Sequence, residues 1–365
     1  MEIKGKYNTA EVFTDNIDET TIGQVIELCN QSFVSGETIR IMPDCHAGAG
    51  CVIGTTMTLV GKKVVPNLVG VDIGCGMYVM GLGKTSIDFK MLDDLIHNEI
   101  PSGFSVRNKE HDSVKEFREY FSSVIADVGE MRRHLLSVGT LGGGNHFIEV
   151  NKDEEDNVYL VIHSGSRNFG KQIAEYWQKK AVETCQEETP KDLAYLSGSL
   201  YDDYIHDMKI AQMFATLNRA SMAQVIVSSL KLDTSGSFET IHNYIDFESG
   251  ILRKGAVSAR EGEKLIIPIN MRDGSIIATG KGNSNWNNSA PHGAGRILSR
   301  GRAKREVNME EYRESMKGIY TTSVTESTLD ESPMAYKSAE EIMKNIVDSV
   351  TIENIISPLY NFKSA

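Results

Sequence analysis

Six short glycine clusters constrain this chain more than any other feature. They are His46-Ala-Gly-Ala-Gly50, Gly70-Val-Asp-Ile-Gly-Cys-Gly76, Leu141-Gly-Gly-Gly144, His163-Ser-Gly-Ser166, Gly280-Lys-Gly282 and His292-Gly-Ala-Gly-Arg296. Each contains or adjoins a His, Cys, Asp or Asn, and most flank a short β-like run, as at 38–42, 69–72 and 158–162. Glycine adopts positive φ and lets backbone approach a ligand closely, so such strand ends predict a site built on loops. A tight turn accounts for any one cluster. Six, each with a reactive side chain, point to a common site.

Between the clusters the period is helical. Helices are expected over 18–34, 89–100, 113–136, 169–185, 201–230 and 339–350, and a strand-rich stretch over 240–279. Ile205, Met208, Ala211, Ala215 and Met222 form a stripe that reads as core packing. The polar stretch 151–157 reads as a hairpin loop. With no internal repeat and no Pro-rich linker, one continuous α+β domain over 1–365 is expected.

Composition removes several alternatives. No apolar run of about 18 residues exists, so no membrane span is expected. The first residues carry acids and lack the apolar stretch of a leader, which makes the cytoplasm the expected compartment. Five cysteines without a CxxC pair predict neither a disulfide framework nor a zinc ribbon. Thirty-eight Lys+Arg against fifty Asp+Glu give a net charge of −12, which argues against strong general affinity for nucleic acid. A global sum does not exclude a local basic path. Arg167, Arg253, Lys254, Lys281, Arg296 and the run 300–305 stand in or beside the clusters, whereas the acidic loop 153–156 is expected away from them.

Asp72 and Cys75 lie three apart in a glycine-rich loop, so both can turn to one point, and a thiolate can bridge two cations. His146, His163 and His242 also sit at glycine-flanked strand ends. A lone histidine of this kind is commonly a core residue; several sources of imidazole, thiolate and carboxylate shift the balance toward a metal site. Asn145 can hydrogen-bond phosphate. His292, in a Gly/Ala loop with Arg296 nearby, is open to act as a nucleophile or general acid. The basic run after it, taken alone, reads more readily as a solvated helix face than as a polyphosphate or nucleic-acid contact.

Taken together these residues resemble the RtcB-type RNA ligase family, as a short, divergent paralogue. The matching stretches are Met42-Pro-Asp-Cys-His46, Gly70 to Gly76, Leu141-Gly-Gly-Gly-Asn-His-Phe-Ile-Glu149, His163-Ser-Gly-Ser-Arg167, His242-Asn243, Arg253-Lys-Gly-Ala256, Gly280-Lys-Gly282, Ser289-Ala-Pro-His-Gly-Ala-Gly-Arg296 and Asp330-Glu-Ser-Pro-Met-Ala-Tyr-Lys337. They occur in the family's order. The resemblance implies a single α+β domain of mixed and antiparallel sheets flanked by helices, with the active site on strand-end loops. It implies an RNA ligase that uses GTP and two divalent metal ions, expected as Mn²⁺. Such an enzyme joins an RNA 3′-phosphate or 2′,3′-cyclic phosphate to a 5′-hydroxyl through a histidine–GMP intermediate, in RNA repair or tRNA splicing. By match, His292 is the nucleophile, and Asp72, Cys75, His146, His163 and His242 are the metal ligands, with Cys75 as the bridge. Asn145, His146 and Asn243 match phosphate-side positions, and Glu149, Tyr336 and Lys363 match positions around the nucleotide. Gly293, Ala294 and Gly295 form its loop, and Arg167 joins the catalytic set. Asp44 and His46 match a loop near the RNA ends, where Asp44 is expected to position the 5′-hydroxyl.

Two departures stand out. Ala49 replaces a Lys common in the family, and Pro268-Ile-Asn-Met-Arg-Asp-Gly-Ser275 replaces the usual PGSMG loop. Asn270 and Ser275 are then expected to meet the nucleotide. The residues alone leave two other readings open. One is a dinuclear metal phosphoesterase that acts on RNA ends or nucleotides without guanylylation. The other is a non-catalytic RNA-binding paralogue. The expected partners are RNA ends and GTP, with no membrane; the expected state is a monomer, and an activating protein is left open.

Overall fold

In the computed structural model, which describes residues 1–185 and 187–364, strands and helices alternate irregularly. The strands are β1 (Glu2–Lys4), β2 (Thr9–Val12), β3 (Ile39–His46), β4 (Ile53–Thr58), β5 (Gly76–Gly83), β6 (Phe147–Lys152), β7 (Val158–Ser164) and β8 (Gly236–Ile241). They continue with β9 (Asn243–Asp246), β10 (Ile251–Lys254), β11 (Ala256–Ser258), β12 (Lys264–Asn270), β13 (Gly274–Gly280), β14 (Ser289–Pro291) and β15 (Val350–Lys363). The helices are α1 (Glu19–Cys29), α2 (Phe89–Glu99), α3 (Val114–Ser122), α4 (Met131–Leu135), α5 (Arg167–Thr184), α6 (Ser199–Leu230), α7 (Arg300–Glu306), α8 (Met309–Ser315) and α9 (Ala339–Asn345).

A seven-stranded antiparallel sheet has the order β12-β13-β15-β6-β7-β5-β8. A six-stranded mixed sheet has the order β1-β2-β3-β4-β10-β9, with β2 and β3 parallel. A short ribbon pairs β11 with β14. The expected α+β class with mixed and antiparallel sheets flanked by helices is what is found. The largest apolar core lies between the six-stranded sheet and α1, α5 and α6.

Local chemistry explains the boundaries. The Asp18 and Asp88 carboxylates accept from the third residue of α1 and α2 and so start those helices. On α6, Met208, Ala211, Ala215 and Met222 are buried as the stripe predicted, with Ile205 half-buried. Asp153 accepts from the backbone of Glu155 and Asn157 and closes the 153–157 hairpin loop between β6 and β7.

Three helical expectations need correction. The stretch 18–34 ends at Cys29, capped by Asn30, and Ser32–Val34 form a separate 3-10 turn after the extended Gln31. The stretch 113–136 is broken into α3 and α4, because the Asp207 carboxylate on α6 draws the Ile125 and Ala126 N–H groups into a turn. The stretch 339–350 ends at Asn345, since the chain then enters β15, a long strand joining β13 to β6. Among the described residues no helix is long and apolar enough to cross a membrane.

Candidate active site

Register in the seven-stranded sheet creates the site. Gly76 of β5 pairs with Ser164 of β7 and Ile241 of β8, and Phe147 of β6 pairs with His163. Residues 75, 146, 163 and 242 therefore emerge at one end of four adjacent strands. Cys75 Sγ lies 3.2 Å from His163 Nε2 and 3.5 Å from His146 Nε2. His163 Nε2 is 3.4 Å from His242 Nε2, and Asp72 Oδ2 is 2.9 Å from His146 Nε2.

The imidazoles are aimed by their outer nitrogens. His146 Nδ1 donates to the Leu141 carbonyl at 2.9 Å, and His163 Nδ1 donates to the Asn145 carbonyl at 3.1 Å, so each presents Nε2 to the cluster. Burial, helped by neighbouring imidazoles, pushes His163 and His242 well below the usual histidine pKa and keeps them neutral. Burial opposes ionisation of Asp72, but His146 outweighs it and holds the carboxyl at about 2. Gly165 is required here, because a Cβ would lie 2.1 Å from Asp72 Oδ1.

These donors suit divalent cations. Cys75, His163 and His242 form one group whose ligand atoms lie within 4.8 Å of one another, and Asp72, Cys75 and His146 form a second. The thiol belongs to both. Three imidazole nitrogens, a carboxylate and a buried thiol converging within 4.8 Å in two overlapping groups offer a donor set that suits a borderline divalent cation.

His292 approaches from the β11–β14 ribbon. It follows β14, and its ring centroid stands 4.9 Å from that of His242. Asp44 on β3, wholly buried, places Oδ2 at 2.6 Å from His292 Nδ1 and accepts the His292 and Gly293 N–H groups at 3.1 and 3.2 Å. The carboxylate thus holds the loop through two backbone N–H groups and lies in close ionic contact with the ring, although Nδ1 makes no hydrogen bond of good angle to it. Asp44, expected near the 5′-hydroxyl, has no exposed surface in this structure, and its carboxylate contacts the His292 loop. Gly295, at φ +75°, completes the fit, since a Cβ would meet the Asp44 carbonyl at 2.5 Å. Ala294 is buried in the same loop. His46, half-buried, points Nδ1 at the Asp44 carbonyl, 3.1 Å away.

Around this centre the other expected residues divide. Arg167, in left-handed backbone at φ +56°, has Nη1 3.5 Å from His146 Nδ1 and donates Nη2 to the Gly103 carbonyl. Asn145 is exposed at the mouth. Asn243 is less free: its amide donates to the Asp72 carbonyl and accepts from the Gly255 N–H. Glu149 is buried against Asn361 at 2.6 Å, and burial pushes its pKa up to about 7 despite Lys363. Ser275 is fully buried, with an unpartnered hydroxyl. Both ends of the Asn270 amide hold the 270–273 turn through the backbone of Arg272 and Asp273 and the Asp273 carboxylate.

The basic run also differs from a phosphate path. Arg296 and Arg300 ion-pair with Glu331, Arg300 and Lys304 with Asp330, and Arg302 with Glu306. Arg253 is buried against Asp246, and Lys254 lies 3.0 Å from Cys51 Sγ. The arginines and Lys304 are thus neutralised within the fold, whereas Lys254 donates to the Asn67 carbonyl and lies against a thiol that burial keeps protonated.

Glu331 was not singled out, although it lies in a matched motif. It receives Arg296, Arg300, Lys363 Nζ at 3.0 Å and the Tyr336 hydroxyl at 2.7 Å. Burial works against its ionisation, but these cations win and hold it at about 2. Asn218 and Arg219 on α6 were missed as well. Arg219 Nη1 donates to the Gly74 and Ser164 carbonyls at 2.7 and 2.6 Å, next to Cys75 and His163. Asn218 donates to the Thr140 and Gly165 carbonyls. The available signal was two large polar residues interrupting the buried stripe.

A family profile described as tRNA-splicing ligase RtcB matches residues 24–128 and 121–364. The chain belongs to the RtcB family. The RNA-splicing ligase RtcB of Escherichia coli K12 is 34% identical, over 90% of both chains. The tRNA-splicing ligase RtcB of Aeropyrum pernix is 28% identical over 87% of this chain and 85% of its own. The RNA-splicing ligase RtcB2 of E. coli strain ATCC 25922 is 29% identical over 84% and 82%. Membership accounts for the order in which the glycine clusters occur along this RtcB-family chain.

Proposed function

We propose that this protein is an RNA ligase that joins an RNA 3′-phosphate or 2′,3′-cyclic phosphate end to a 5′-hydroxyl end, with GTP as energy source. The observation that carries the reading is His292, on a loop held by Asp44, 2.6 Å from that carboxylate and set beside a His/Cys/Asp cluster. A phosphoesterase would use the cluster and leave the Asp44–His292 pair without a task. A binding module would need neither.

His292 Nε2 attacks the α-phosphorus of GTP. A P–N bond forms, the α–β phosphoanhydride bond breaks, and pyrophosphate leaves with the electron pair. A 2′,3′-cyclic end is first opened by water, which breaks the P–O2′ bond and leaves a 2′-hydroxyl and a 3′-phosphate. Guanylyl then passes from His292 to a 3′-phosphate oxygen, and the P–N bond breaks to regenerate the imidazole. The 5′-hydroxyl attacks that activated phosphate, loses its proton and expels GMP. Asp44 stabilises the ring as positive charge develops on it. Asp72, Cys75, His146, His163 and His242 would hold two divalent cations, expected as Mn²⁺, which when bound neutralise charge on the phosphate oxygens. Arg167 and Asn145 face the same phosphates. Glu149 would accept from the guanine N1–H and N2–H₂, with Lys363 and Tyr336 beside the base and the Ser275 hydroxyl gaining the partner it lacks.

The test is sealing of a 3′-phosphate RNA to a 5′-hydroxyl RNA with GTP and Mn²⁺, with ATP in parallel. Product with GTP alone is expected. No product with either nucleotide, from protein that binds Mn²⁺, contradicts the proposal.

A further inference from the structure

Phe104 is 98% exposed, the most exposed large apolar side chain among the described residues. Its loop is nonetheless well anchored. Gly103 N–H donates to the Gly142 carbonyl and Leu141 N–H to the Pro101 carbonyl, both at 2.9 Å. Arg133 donates to the carbonyl of Phe104 itself at 3.1 Å. A firmly held loop that presents a bare aromatic ring forgoes its burial, which suits a ring awaiting a flat partner.

The position of the loop names the partner. The Gly103 carbonyl receives Arg167, whose guanidinium stands beside His146, so Phe104 is one residue from the mouth of the site. Arg107, Arg132 and Arg133 have no ion-pair partner among the described residues, unlike the arginines near His292. A cleft of about 290 Å³ opens between the end of α2 and Phe362 of β15, lined by Ser102 and Ser105, which flank Phe104 in sequence, though the Phe104 ring itself does not line it. An exposed aromatic surface with uncompensated guanidinium groups is how proteins hold single-stranded nucleic acid without reading its sequence.

We infer that Phe104 stacks on the base of an unpaired RNA nucleotide next to the reacting end, with Arg107, Arg132 and Arg133 meeting the flanking phosphates. The inference rests on the proposed ligase activity for the identity of the RNA, while the stacking itself is tested by binding alone. Phe104 thereby acts as a positioning residue that sets affinity for the RNA and leaves the nucleotide step alone.

The experiment compares wild type, Phe104→Ala and Phe104→Trp with a short single-stranded oligoribonucleotide bearing a 3′-phosphate, and with the same oligonucleotide lacking its terminal base. Phe104→Ala should weaken binding of the intact oligonucleotide and raise its KM in sealing by about 10-fold, the scale of one lost base stack. It should leave Tm and protein–GMP formation unchanged. Phe104→Trp should retain affinity, with tryptophan fluorescence quenched on binding. Wild type should bind the base-lacking oligonucleotide as weakly as Phe104→Ala binds the intact one. Equal affinity of wild type and Phe104→Ala overturns the inference, as does indifference of wild type to the missing base. A change of self-association in Phe104→Ala with RNA affinity intact also overturns it, in favour of a protein partner. Absence of any GMP adduct in wild type contradicts the ligase proposal instead, and the binding comparison still decides the stacking.

Discussion

Replacing Arg219 by Met tests whether α6 holds the metal-ligand loops in place. Arg219 is fully buried, ion-pairs with Glu239 at 2.6 Å, and donates to the Gly74 and Ser164 carbonyls. Methionine fills much of the same volume and so limits the cavity, but it leaves two buried carbonyls and one carboxylate without their donor. Breaking a buried charge pair costs about 3–5 kcal/mol, and an unsatisfied buried polar group about 1–3 kcal/mol. Glu239 retains 20% exposure and a hydrogen bond from Thr216, which moderates the first figure. A loss of about 3–5 kcal/mol is therefore expected, read from urea unfolding with unchanged slope. Because the two carbonyls adjoin Cys75 and His163, Mn²⁺ affinity by calorimetry should also fall about 10–100-fold, the usual effect of losing an outer-shell support. Stability within about 1 kcal/mol of wild type, together with unaltered Mn²⁺ affinity, would refute the reasoning.

Two further perturbations separate the roles of single carboxylates. Asp44→Asn keeps the size of the side chain but can present an amide N–H to His292 Nδ1, which favours the wrong tautomer; guanylylation should slow by about 10²–10⁴-fold, measured by single-turnover adduct formation. Unchanged adduct kinetics would remove Asp44 from the nucleophile's support. For Glu331, a folded pKa of about 2 against an ordinary 4.5 means that ionisation stabilises the fold above the ordinary value, and that this gain vanishes as pH falls through about 2. The shift corresponds to about 3 kcal/mol. Glu331→Gln should therefore be less stable than wild type near neutrality by about that amount, and the gap should close on acidification. A gap independent of pH would show that the carboxylate's charge is not what holds Arg296 and Lys363.

Much of the site was legible because its chemistry is local. Glycine must stand where backbone passes within contact of Asp72 or Asp44, so the clusters marked strand ends before any strand was placed. The stripe on α6 was legible for the same kind of reason, since helical spacing decides which side chains meet the core. What was not legible depended on distant partners. That Asp44 contacts the His292 loop turned on β3 lying against the β14 loop, 248 residues away in sequence. The break between α3 and α4 was decided by Asp207, a residue some 80 positions further on. Arg296, Arg300 and Lys304 looked available because their acidic partners, Asp330 and Glu331, lie outside any local window, whereas Arg302 pairs with Glu306 four residues on. Net charge misled in the opposite direction: −12 says nothing about a small arginine group beside one exposed phenylalanine.

The central claim is that His292 carries the guanylyl group. Incubating the protein with α-labelled GTP and Mn²⁺ should yield a protein-bound GMP that is labile in acid and stable in base, as a phosphoramidate is. The label should map to the 292–296 loop and be absent from His292→Ala. An adduct that persists in His292→Ala, or no adduct from a wild type that binds Mn²⁺ and GTP, would contradict the account.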